Sequence, residues 1–258
     1  MLFNAFPLFT RIIWIFITVL ECFFVLMLLR WDAWKRYPVM SLFVTWEALG
    51  NLTLMLIALF GTTTTHYMPY FYAYYVVTLF AGVNAFAVAL ELYYKIFDPR
   101  IGLAAWRPRH MVIIISVSLM VAITVGSLWT FRHGGSLTRR METMREVMTV
   151  AMWITFCLLV VYSRSLGFTW RPRPAGIATG FTLYLTVSVV CMLIRARFSL
   201  GAALIANQVE TAAEFLAAAW WLGVFWGEEK LPIAVTSEQA EETVAKYRKS
   251  VEAAARLL

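Results

Sequence analysis

The chain has 258 residues, of which 61% are hydrophobic and 14% charged, with mean hydropathy +0.72 and formal net charge +7. The apolar residues come in runs long enough to cross hydrocarbon, which excludes a secreted disulfide scaffold, a disordered regulator and a cytosolic enzyme. The basic excess falls in short segments between those runs, where membrane topology explains it without nucleic acid.

Taken in chain order, apolar stretches at about 12–29, 39–60, 70–94, 111–130, 146–163, 175–194 and 201–226 predict an all-α, seven-transmembrane-helix bundle. This domain occupies residues 1–230. No small-residue cleavage site ends the first run, so a permanent span is expected there rather than a signal peptide. Pro38 precedes the second span, Pro99 and Pro108 punctuate the loop after the third, and Pro172 and Pro174 precede the sixth. Trp14, Trp31, Trp34, Trp106, Trp129, Trp170, Trp226 and the tyrosines from Tyr67 to Tyr75 gather near span ends, as amphipathic rings do at a headgroup boundary. Loops are short, so consecutive spans are expected to be antiparallel neighbours.

An odd span number puts the termini on opposite sides. With the N-terminus outside and the C-terminus cytoplasmic, the inner segments hold 15 Lys and Arg and the outer ones 7, so the positive-inside bias selects this orientation. Its weak point is the loop at 131–145, which puts Arg132, Arg139, Arg140 and Arg145 outside, with Glu142 and Glu146 only partly offsetting them.

Five glutamates fall within spans: Glu21, Glu47, Glu91, Glu210 and Glu214. A charge at bilayer depth is costly, so such residues turn toward a bundle interior and often mark function. From the rise per residue, Glu21 lies about 12–14 Å from either end of its helix and Glu47 about 12 Å from the inner start of span two. Glu210 and Glu214 lie one turn apart on one face, about 14 and 20 Å from the outer start of span seven. If spans one, two and seven are neighbours, four carboxyls share the middle of the bundle, and like charges so close in low dielectric cannot all ionise. Asn51, Asn207 and Gln208 stand near them as amide partners. Glu21, Glu47, Asn51, Asn207, Glu210 and Glu214 are therefore the intramembrane candidates, either for a cation or proton path or as hydrogen-bonding glue between helices. Glu91 is expected to pair with Lys95, four residues on.

Other chemistry is excluded by composition. His66, His110 and His133 lie at span ends or in loops, so haem ligation and histidine-based catalysis within the bundle are not expected. Cys22, Cys157 and Cys191 sit in apolar runs without ligand spacing, which predicts no disulfide and no metal site. A retinal Schiff base needs a lysine, and span seven has none. No cofactor is expected. Gly176 and Gly180 have GxxxG spacing and are expected to serve close packing. Arg107, Arg109, Arg164, Arg171 and Arg173 cluster at inner span ends, where they snorkel or hold lipid headgroups or another anion.

Residues 236–258 predict a cytoplasmic amphipathic helix, with Thr236 and Gln239 at capping-box spacing. Ala240, Val244, Tyr247, Val251, Ala254 and Leu258 form a narrow apolar stripe; Val244, Tyr247, Val251 and Leu258 are its larger members and the candidate docking surface. The stripe is expected to lie on the protein's own inner face, on lipid, or on a protein partner or second copy.

Several short motifs carry a family resemblance. They are Glu21 in span one, Leu29-Arg30 with Tyr37-Pro38, the run Tyr70-Phe71-Tyr72-Ala73-Tyr74-Tyr75, and Leu90-Glu91-Leu92-Tyr93-Tyr94-Lys95-Ile96-Phe97. The most specific is Ser163-Arg164-Ser165-Leu166-Gly167-Phe168-Thr169-Trp170-Arg171, followed by Gly176-Ile177-Ala178-Thr179-Gly180-Phe181. On these the chain resembles a group of uncharacterised seven-span bacterial integral membrane proteins, present as paralogues in acidobacterial genomes. The resemblance covers roughly residues 10–226 and implies a bacterial inner-membrane location and seven helices. It implies no activity and no catalytic residue.

Missing catalytic chemistry, short loops and a docking-type tail make a non-catalytic accessory or scaffold subunit, or a receptor-like relay, the leading expectation. The alternative is a small transporter or proton- or cation-coupled permease using the intramembrane glutamates. A lipid-acting enzyme is the third class, and would need a carboxylate–arginine pocket open to one leaflet.

Overall fold

The computed structural model of the chain describes residues 7–60, 67–96, 112–113, 115–121, 123–124, 137–165, 172–198 and 200–226. All regular structure among them is helical: α1 (Leu8–Arg30), the short α2 (Ala33–Arg36), α3 (Pro38–Phe60), α4 (Tyr67–Ile96), α5 (Leu137–Ser165), α6 (Pro172–Arg197) and α7 (Leu200–Trp226), with further helical residues between 112 and 124. Proline opens α3 and α6, where a missing N–H costs no helical hydrogen bond and the fixed φ suits the first turn.

Among the described residues, five stretches are long and apolar enough to cross a membrane: Leu8–Arg30, Pro38–Phe60, Met68–Ile96, Arg140–Val161 and Arg173–Arg197. The chain is an all-α, multi-pass membrane protein. Helix α7 matches them in length, but Asn207, Gln208, Glu210 and Glu214 dilute its apolar content. The span expected at 111–130 lies partly outside the described residues, and the helix expected at 236–258 lies wholly outside them.

One boundary differs from the expectation. Residues 137–145, read as loop, form the first turns of α5. Their charges break the apolar pattern that marks a span, yet a helix with Glu142, Arg145 and Glu146 on its inward side places those charges in a polar interior, not in lipid.

The long helices close into a ring in the order α1, α3, α4, α5, α6, α7 and back to α1. Side-chain contacts fix their directions. Glu91 near the end of α4 reaches the start of α3, so these run antiparallel. Trp31 after α1 meets Trp226 at the end of α7 with ring centroids 5.6 Å apart, so α1 and α7 run parallel.

The larger apolar cluster fills one half of the ring, and a smaller one of Trp14, Leu54 and Ala58 lies in the other. Phe24, Tyr37, Met40, Phe43, Leu92, Phe156, Phe181 and Phe225 are buried in the larger, together with Ile115 from the helical residues between 112 and 124. On the outside, Phe16, Val19, Leu26, Phe60, Leu183 and Leu216 face outward as large exposed apolar side chains, the surface that hydrocarbon requires. Small residues let α6 and α7 approach: Trp220 Nε1 donates to the Gly176 carbonyl at 2.8 Å and Trp221 Nε1 to that of Ile177 at 3.2 Å. A Cβ on Gly180 would collide with the Trp221 indole, so the GxxxG pair serves close packing, as its spacing predicts.

Candidate functional site: a polar chamber in the ring

The other half of the ring holds a chamber of about 750 Å³. Its wall runs from Pro7, Thr10, Glu142 and Leu204, at the end of the bundle where α1, α5 and α7 begin, down to Phe43, Phe181 and Trp221 toward the opposite end. Those three rings form its floor. Phe181 lies 5.1 Å from Phe43 and 4.5 Å from Trp221 between centroids, and Phe156 stacks beneath Phe181 at 4.5 Å and 10°. Below the floor, Phe225 packs on Phe24 and Tyr37 and continues the dry core.

Glu21 of α1, Glu47 of α3 and Glu214 of α7 converge just above the floor, each offering a carboxylate oxygen within 4.8 Å of the others. Sequence spacing alone brings none of them together; the closed ring does, by setting α1 between α3 and α7. Glu21 is buried, and its Oε2 accepts a hydrogen bond from Asn51 Nδ2 at 2.9 Å. Asn51 Oδ1 in turn accepts from Trp14 Nε1 at 3.3 Å. Two ionised carboxylates at this spacing repel by roughly 3 kcal/mol at an effective dielectric of about 20. A proton or a cation between the oxygens removes that repulsion. The arrangement has the donor set of a hard-cation site, which cysteine and histidine spacing gave no reason to expect.

Glu210 does not join this trio. It pairs with Arg195 from the end of α6, and Arg195 Nη1 also donates to Asn207 Oδ1 at 2.9 Å. The tight connection between α6 and α7 sets these residues side by side at the chamber's upper wall. Arg145 of α5, on the same wall, donates to the Tyr74 hydroxyl at 2.5 Å. Tyr74, Arg145, Tyr184, Ser188 and Arg195 all line the chamber, and the sequence reading did not select them. Arg195 at a span end, Glu142 in the expected loop and Glu146 at the start of the fifth expected span were the available signals, but each reads equally well as surface charge.

Glu91 stands apart from the chamber. Its carboxylate accepts the backbone amides of Met40 at 2.9 Å and Val39 at 3.3 Å, capping the start of α3. The expected pairing with Lys95 is replaced, because first-turn amides without helical partners are the better donors to a buried carboxylate. Lys95 instead lies 5.2 Å from the Tyr37 ring centroid. Of the basic candidates, Arg173 reaches the Phe225 carbonyl and lies over its ring at 5.6 Å. Arg107, Arg109 and Arg171, the Arg164 side chain, and the stripe Val244, Tyr247, Val251 and Leu258 lie outside the described residues. Cys22, Cys157 and Cys191 are free thiols.

The chain matches no family model, no curated protein and no solved structure.

Proposed function

We propose that the protein is a small cation- or proton-coupled transporter whose central site is the Glu21, Glu47 and Glu214 carboxyl trio. The observation that carries this reading is the convergence of three carboxylates from three helices at the base of a polar chamber. Structural glue needs only carboxyls joined to donors, as Glu21 is to Asn51; here three carboxyls also meet each other beside an accessible space. The chamber reaches one end of the bundle and is closed toward the other by aromatic rings, which is the asymmetry of a carrier in one of its two access states. Transfer across the membrane requires the floor of Phe43, Phe181 and Trp221 to part while the chamber's upper wall closes.

In this proposal the chain has seven spans, the fourth across 111–130, and belongs with the bacterial group it resembles. Its N-terminus lies outside the inner membrane and its C-terminus in the cytoplasm, so the chamber faces outward; the positive-inside count supports this. The accessory-subunit reading draws on residues 237–258 and has no comparable support from the ring.

Reconstitution into liposomes with an internal pH dye tests the reading. Imposed gradients of sodium or potassium are expected to drive proton movement through the wild-type protein, and Glu47→Gln and Glu214→Gln to abolish it. If both variants leave every such flux unchanged, the trio is not a transport site.

A further inference from the structure

The chamber is much larger than a bare ion needs. About 750 Å³ lies within the range of roughly 300–1,000 Å³ typical of small-molecule sites. Its sign is also distinctive. The lining carries six carboxyl groups (Glu21, Glu47, Glu142, Glu146, Glu210 and Glu214) against two guanidinium groups (Arg145 and Arg195), in a chain whose net charge is +7. Both guanidinium groups are engaged, Arg195 by Glu210 and Asn207 and Arg145 by the Tyr74 hydroxyl.

At the base, one carboxyl group awaits a partner. Glu47 accepts no hydrogen bond from a described residue, although Glu21 beside it is held by Asn51. The Ser188 hydroxyl, 2% exposed on the chamber wall, has only Tyr184 as a polar neighbour among the described residues. A carboxylate at bilayer depth without a donor is compensated by a proton or by positive charge. The aromatic floor directly below it supplies what a metal ion does not use: ring faces that attract a cation and accept an apolar body.

We infer that the chamber binds an organic cation, its ammonium head among Glu21, Glu47 and Glu214 and its hydrocarbon part against Phe43, Phe181 and Trp221. This rests on the reading of the trio as a cation site and names the class of molecule it takes. An anion of the same size meets net repulsion, and a neutral solute gains nothing from the carboxylate charge.

The test is calorimetric titration of the full chain in lipid nanodiscs with 2-phenylethylammonium, with 2-phenylethanol and phenylacetate as neutral and anionic counterparts. Saturable binding of the ammonium compound alone is expected, weakened about 30-fold or more in Glu47→Gln, the loss typical of removing one desolvated charge partner. Glu47→Asp, which keeps the charge, is expected to retain binding, and Phe181→Leu to weaken it while the particles stay monodisperse. Equal binding of the alcohol, or unchanged binding in both Glu47→Gln and Glu214→Gln, overturns the inference. Ammonium binding without flux in the liposome assay removes the transport reading and leaves this one standing. Cation-driven proton flux without ammonium binding does the reverse.

Discussion

Asn51 Nδ2 donates to Glu21 Oε2 at 2.9 Å, joining the midpoints of α1 and α3 at the base of the chamber. The same amide takes the Trp14 indole N–H on its oxygen, so one side chain orders both a carboxylate and an aromatic wall. An amide suits this place because it offers a donor and an acceptor without adding charge to a crowded acidic site.

Asn51→Leu therefore removes two interhelical hydrogen bonds and leaves Glu21 without a donor. Destabilisation of about 1 kcal/mol is expected, given the modest worth of hydrogen bonds between membrane helices. Thermal unfolding in detergent measures it. Flux is expected to fall further than stability does, because Glu21 loses the contact that orients it.

Glu91 is the contrasting case, a buried glutamate with a structural task. Glu91→Leu strips the first turn of α3 of its carboxylate cap, at an expected cost of about 1–2 kcal/mol. Glu91→Gln keeps an acceptor oxygen and is expected to lose less. Unfolding midpoints rank the three proteins, and liposome flux per folded molecule is expected to stay unchanged in Glu91→Gln.

Phe181 closes the chamber floor from its centre, touching Phe43, Trp221 and Phe156. Phe181→Ala is expected to destabilise the fold by about 3 kcal/mol or more, as ring deletions in packed cores do. Beyond that loss, the seal opens, so a passive ion leak is expected in liposomes without any driving gradient of substrate. Phe181→Leu fills part of the gap, and its leak is expected to lie between wild type and Phe181→Ala.

Outside the membrane helices, Asp32 turns the chain from α1 into α2 with φ 51, in the left-handed region. The Lys35 ammonium, 2.9 Å away, hydrogen-bonds to it and attracts it, holding its carboxyl below the usual carboxylate range. With the folded value depressed, any stabilisation is present above the unfolded value and is lost as pH falls through the folded one. Both side chains are mostly exposed, so solvent screening leaves this contribution negligible. Lys35→Met is thus expected to raise the Asp32 titration midpoint, followed by carboxyl NMR, while the unfolding temperature at neutral pH stays put. Asp32→Val, which forces a β-branched residue into that turn, is expected to lower it.

Much of the architecture is legible in the chain because hydrocarbon imposes a simple rule: a membrane span must satisfy its own backbone and show lipid an apolar surface. Runs of about 20 apolar residues announced α1, α3, α4 and α6 with ends within a few residues, and the proline positions announced where α3 and α6 begin. The start of α5 escaped because charges facing a polar interior look, along the sequence, like charges facing water. Which carboxylates matter was equally undetermined. Glu210 and Glu214 both read as acids at depth, yet one pairs with Arg195 and one joins Glu21 and Glu47, while Glu91, already set apart in the sequence by Lys95, caps a helix. Periodicity fixes which face of a helix a residue occupies, and composition fixes that the face avoids lipid. The neighbour it meets depends on the order in which six helices close a ring, and that order arises from contacts between residues far apart in the chain, such as Asn51 with Glu21 and Trp31 with Trp226, which no local pattern encodes.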